Sequence, residues 1–250
     1  MTIIDDRAEL LGLAILKKGA HPNPENGVCL LEAVAWISGE PHTDRPECAC
    51  PVLGSFGRAL NDVLPDDKRQ QLVPLAPLIV GTANDGHAQE RGLMAADWLI
   101  RTYTPTWLRL AGLEEAAVSL ETLPRRASWD DVEAAVPVVQ AAREKARAAG
   151  DAAGAAAGAA AGDAAGAAAW DAAGAAAGAA AGAARDAARD AAGAAAWDAA
   201  GAAAGAAAGA ARYAAWAAAG AALQPTVDAL QDSAIDLLRQ MCTLGEEAAR

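Results

Sequence analysis

The chain has 250 residues and a net charge of −12, with Lys and Arg contributing only 20 residues against 32 Asp and Glu. Phosphate backbones require a basic surface, so the balance excludes nucleic acid as the expected partner. Seven of the ten aromatics are Trp, and no alternating apolar runs recur, which argues against an all-β sandwich.

In chain order, the sequence predicts short helices broken by Pro and Gly. The first spans 5–18, with apolar Leu10, Leu11, Ala14 and Ile15, and stops at Gly19. A polar link, His21-Pro22-Asn23-Pro24-Glu25-Asn26-Gly27, leads to a helix over 28–38 with Leu30, Val34 and Ile37 on one face. The loop 39–51 is rich in Pro, His and Cys. After it Leu53, Phe56, Leu60 and Val63 fall at helical spacing. A helix is expected from Asp66 to Val73. Residues 75–80 read equally as a short strand or a buried turn.

A further helix over 88–103 carries Leu93, Ala96, Ile100 and Tyr103. Thr104-Pro105-Thr106 is expected to end it and cap the next one, which holds Trp107, Leu108 and Leu110. Residues 113–122 read as helix. Ser128, followed by Asp130 and Asp131, predicts an N-cap for a helix over 129–149, kinked at Pro137. The last helix, 226–243, is capped by Thr226 and has an apolar face of Val227, Leu230, Ala234, Leu237 and Met241. That face needs a partner, most simply the core of residues 1–150.

Residues 151–222 stand apart, with 47 Ala and 12 Gly in 72 positions. Asp163–Arg185 and Asp190–Arg212 are identical over 23 residues at an offset of 27, and Gly or Trp recurs every fourth position. Such copies also arise by duplication of repetitive DNA, leaving a tolerated spacer. Ala favours helix, no Pro interrupts the tract, and no residue in it branches at Cβ. Four residues advance the helix by about 400°, so the Gly row drifts round the cylinder rather than forming one seam. A hairpin or bundle bent near 185–190 is therefore expected, since small residues permit close backbone approach. The domain reading is a helical domain over 1–150, Ala/Gly repeat helices over 151–222, and a C-terminal amphipathic helix over 223–250. The fold class is all-α.

The acidic start lacks a basic n-region, and the longest uncharged stretches in the tract are 13 residues (172–184 and 199–211), short of the roughly 20 a span requires. Neither export nor membrane insertion is expected. Four Cys without a leader suit reduced thiols in a cytoplasm.

The densest set of potential ligands is His21, Cys29, His42, Cys48 and Cys50. Imidazole and thiolate suit Zn, and His42, Cys48 and Cys50 are the candidate metal residues. Their spacing is poor, because Cys48-Ala49-Cys50 is not a C-x2-C knuckle and no second pair follows. Cys48 or Cys50 with His42 is the one local nucleophile–base combination, and Arg45-Pro46-Glu47 between them forms no catalytic signature. Glu32, Glu40, Asp44 and Asp62 are candidates for a polar pocket around that loop. The paired acids Asp5-Asp6, Asp66-Asp67, Glu114-Glu115 and Asp130-Asp131 read as charge at helix starts. No catalytic residue and no cofactor are indicated.

The runs HPNPENGVCLLEAVAW (21–36) and GEPHTDRPECACPVL (39–53), then Leu60-Asn61-Asp62, resemble a group of uncharacterised proteins encoded by actinobacteria and their phages. Members of that group also carry Ala-rich tails dotted with Asp, Arg and Trp. The resemblance spans residues 21–112. It implies a cytoplasmic, phage-linked setting and brings no activity.

The sequence thus favours a non-catalytic structural or interaction protein, with a protein partner or self-association through the Ala/Gly helices. One alternative is a Zn protein or enzyme built on the His/Cys loop. Another is ice binding by the Ala/Gly helices. Against the last, Thr is absent from 151–222 and the Gly rows drift round the helix.

Overall fold

The computed structural model describes residues 3–12, 14–156 and 223–244. The expectations for the Ala/Gly repeats, including the hairpin and the ice-binding face, lie outside the described residues. Within them the protein is all-α, and its β structure is a single isolated parallel bridge between Leu16 and Val28. No helix among the described residues is long and apolar enough to cross a membrane. The chain divides into two compact units, Met1–Arg91 with Gln231–Arg250, and Gly92–Leu230.

In the first unit, α1 (Asp5–Leu11) is shorter than its predicted span. The backbone of Leu16 is held by the Gln70 side chain on both its N–H (2.8 Å) and its C=O (3.0 Å). The Lys17 N–H donates to the Val28 carbonyl at 2.8 Å. These bonds pull the segment after Leu11 out of helical register. Helix α2 (Leu30–Ser38) packs against α1, α3 (Pro51–Val63) and α5 (Ala76–Ile79). Leu30, Leu31, Val34, Ile37, Val52 and Leu53 are wholly enclosed there. Each such side chain stabilises the fold by about 1.5–3 kcal/mol relative to exposure.

Gly57 lets α3 approach α2, since a Cβ there would meet Leu30 Cδ2 at 3.1 Å and Leu31 Cδ2 at 3.2 Å. Arg69, almost fully buried, closes the end of α3 by donating to the carbonyls of Asn61 (2.7 Å) and Leu64 (2.6 Å). Helix α4 (Asp66–Arg69) continues as a 3-10 turn over Gln70–Leu75. Of residues 75–80, left open between strand and turn by the sequence, Leu75 ends the 3-10 turn, Ala76–Ile79 are α-helical and Val80 turns the chain out of the helix. The C-terminal helix α10 (Gln224–Cys242) begins two residues before Thr226, with Thr226 and Val227 N–H both on the Leu223 carbonyl. Its Met241 carbonyl accepts from Arg91 Nε at 2.8 Å, and Asp232 pairs with Lys68 at 2.7 Å.

The second unit departs from the sequence reading at one informative place. The predicted break at Thr104–Thr106 does not occur. Helix α6 (Ala88–Trp98) passes through a π turn, Leu99–Tyr103, directly into α7 (Thr104–Leu110). The Thr104 N–H reaches the Leu99 carbonyl, five residues back. Pro105 has no N–H to donate, and its ring would clash with a carbonyl in α register. The wider turn changes that register and lets the helix run on.

Helix α8 (Glu114–Glu121) packs on α7 and on α9 (Trp129–Ala156). The cap of α9 is as predicted: Ser128 Oγ accepts the Asp131 N–H at 3.2 Å, and Asp131 Oδ2 accepts the Ser128 N–H at 2.9 Å. Pro137 lies inside α9, which continues beyond it. Leu93, Ala96, Trp129 and Val132 form a buried cluster with Val136 against it.

Candidate functional site

The site is organised by Glu32, a carboxylate with no exposed surface in an otherwise apolar helix. It occupies the first turn of α2, where a Glu side chain can turn back to the amide that opens the helix. Its Oε2 accepts the Cys29 N–H at 2.7 Å and lies 2.8 Å from His21 Nδ1. Its Oε1 accepts the His21 N–H at 2.5 Å and faces His42 Nε2 at 3.5 Å. Burial alone would raise the pKa of this carboxyl. The His21 and Cys29 amides and the His21 ring outweigh burial and hold it below the ordinary value.

An ionised carboxylate only accepts, so His21 Nδ1 carries a proton; in the neutral ring the lone pair is then on Nε2. The rings of His21 and His42 keep 11% and 17% side-chain exposure, so both reach the edge of the buried network. His42 Nε2 is 3.0 Å from the His21 carbonyl, which fixes it as a donor. Two loops distant in sequence are thus tied to one helix start.

Asn61, also fully buried, extends the network. Its Oδ1 accepts the Leu30 N–H at 3.2 Å, and its Nδ2 donates to the Lys17 carbonyl at 2.9 Å. Asp62 Oδ1 accepts the Gly19 N–H at 2.8 Å. Gly27 has φ +135, and a Cβ there would meet Lys17 Cδ at 2.6 Å and His21 Nε2 at 3.0 Å. Only a residue without a side chain lets this strand of backbone pass both groups.

The five ligand-type residues separate. His21, His42 and the Cys29 amide meet at Glu32, while the two loop cysteines serve other contacts. The Cys48 N–H donates to Glu40 Oε1 at 2.8 Å, and its thiol is pushed up by burial. The Cys50 N–H donates to Thr82 Oγ1 at 2.9 Å, and its thiol interacts with Arg91. Burial pushes the Cys29 thiol up to about 12. No group of three or more His, Cys, Asp or Glu among the described residues is arranged to hold a metal ion. His42, Cys48 and Cys50 therefore do not converge as a ligand set.

The acids expected to share a pocket hold separate groups, although Asp44 and Asp62 both lie within electrostatic reach of Arg58. Glu40 accepts the Glu47 and Cys48 amides, Asp62 holds Gly19, and the Asp44 carbonyl accepts from Arg58 Nη1 at 2.9 Å. The sequence reading missed Glu32 as the hub and Lys17 as a neighbour of His21. One signal was present: a lone carboxylate in the apolar run Leu30-Leu31-Glu32-Ala33-Val34. A buried charge in such a run needs partners.

The arrangement can orient His21, hold its proton on one nitrogen and leave the other as a base. No family model, no curated protein and no solved structure matches the chain.

Proposed function

We propose that this chain is a non-catalytic interaction protein that associates with further copies of itself. The observation that carries the reading is the N-terminal segment. Of the four exposed large apolar residues among the described ones, Ile4, Leu10 and Ile15 fall within this short stretch, with Leu10 54% and Ile15 71% exposed. The segment is anchored: Leu11 and Leu16 are buried, and Arg7 Nη1 donates to the Trp36 carbonyl at 2.6 Å. Anchoring holds these side chains in water at a cost of about 25 cal/mol per Å² of apolar area, which a contact would recover. The repeat supports the same reading from sequence, since Ala and Gly allow close contact between like surfaces.

Sedimentation velocity of the full chain over a wide concentration range tests this. Oligomers are expected, and they should strengthen with added salt, because screening weakens repulsion between chains of charge −12. Leu10→Asp with Ile15→Asp should dissociate them. Dissociation only on removing residues 163–212 would move the contact to the repeat. A wild-type chain that stays monomeric throughout would overturn the reading.

A further inference from the structure

We propose that His21 is a phosphoryl-accepting histidine that reacts through Nε2 with small anionic phosphoryl donors. Three features converge there. The Nδ1 proton is directed into Glu32 Oε2 at 2.8 Å by a carboxylate without exposed surface, which leaves Nε2 as the nucleophilic nitrogen. Nε2 makes no hydrogen bond among the described residues. The His21 side chain keeps 11% exposure, so the ring reaches the protein surface. The third feature is charge. The Lys17 side chain and Nε2 both come within 3.0 Å of the point a Gly27 Cβ would occupy, and Lys17 Nζ is anchored to the Asn26 carbonyl at 3.3 Å. The contact is made by the Lys17 methylene chain, whose ammonium lies two bonds beyond Cδ; a cation carried on this edge of the ring favours an anionic electrophile over a neutral one.

With phosphoramidate as donor, in its zwitterionic form with three protons on nitrogen, the Nε2 lone pair attacks phosphorus, the donor's P–N bond breaks, and ammonia leaves with that electron pair. The new Nε2–P bond leaves a positive charge on the ring. Nδ1 keeps its proton, and Glu32 balances the ring charge. Lys17 offsets the charge of the phosphoryl oxygens. No oxidant, metal or further proton enters the balance.

The experiment treats the full chain with potassium phosphoramidate at neutral pH and follows each imidazole by 31P and 15N NMR. His87 is the internal control, with 32% side-chain exposure and its Nδ1 only beside the exposed Glu90. His21 is expected to be phosphorylated at Nε2 faster than His87, because its carboxylate partner fixes the tautomer and raises the ring's basicity. Lys17→Met should slow phosphoramidate but leave the rate with neutral diethyl pyrocarbonate unchanged. Glu32→Gln should slow both reagents, with helicity checked by circular dichroism.

If that variant does not fold, the untreated protein still decides: the His21 15N shifts must report the Nδ1–H tautomer. An Nε2–H tautomer, or a His21 no faster than His87 in folded protein, overturns the proposal. So does equal slowing of both reagents by Lys17→Met.

Discussion

Removing the Asp85 carboxylate should destabilise the protein far more than removing the arginine it holds. Arg91 has no exposed surface, yet its guanidinium is charged. Asp85 meets it with two bonds, at 2.8 and 2.5 Å, and Nε donates to the Met241 carbonyl at 2.8 Å. Breaking a buried pair from one side leaves an uncompensated charge and costs about 3–5 kcal/mol. The Asp85 side chain keeps 26% exposure, so water can partly replace it and the lower end applies, about 3 kcal/mol for Asp85→Ala. Arg91→Met leaves Asp85 able to turn to solvent. It loses mainly the bond to Met241, which sets its cost at about 1–2 kcal/mol. The double variant should cost little more than Arg91→Met alone, giving a coupling of about 3 kcal/mol. Urea unfolding followed by Trp fluorescence and circular dichroism measures all three. Additive costs, or Asp85→Ala costing less than Arg91→Met, would refute the reasoning.

Two carboxylates, Asp85 and Glu32, give the acid limb. Asp85 and Glu32 both titrate below their ordinary values when folded, because the hydrogen bonds of Arg91 and of the His21 and Cys29 amides outweigh burial. Their contribution is therefore complete above the unfolded pKa of about 4 and is lost as pH falls through the lower folded values, measurable as a declining urea midpoint. All four cysteines are buried, and burial pushes the Cys29 and Cys242 thiols up to about 12. Thiol titration with an aromatic disulfide should find Cys29 and Cys242 silent in native buffer at pH 7.5 and reactive in urea; rapid native labelling of either would contradict this. Gly57→Ala should cost about 1–3 kcal/mol by overpacking α3 on α2, and an unchanged melting temperature would show that Leu30 and Leu31 give way freely.

Much of the helical framework was legible because its signals are local. The i, i+3, i+4 apolar spacing marked α2 and α3, and Ser128 with Asp131 marked the start of α9. Three places were not legible. The run 75–80 is too short for its period to separate strand from helical turn. The break expected at Pro105 assumed α register, and a π turn removes the clash that assumption implies. The helix predicted to reach residue 18 ends at Leu11, because Gln70 and Val28 take the backbone groups of Leu16 and Lys17.

The candidate site divides in the same way. The sequence by itself determined the acidic charge, the all-α class and the concentration of His and Cys between residues 21 and 50, since composition and helical period are properties of neighbours along the chain. Only the tertiary structure decided which of those groups meet. It joined His21 and His42 through Glu32 and turned Cys48 and Cys50 away to Glu40, Thr82 and Arg91. The physical reason is burial. A carboxylate enclosed at the start of α2 must fill its oxygens with donors, and the donors within reach are set by how the loops fold back rather than by their spacing in sequence.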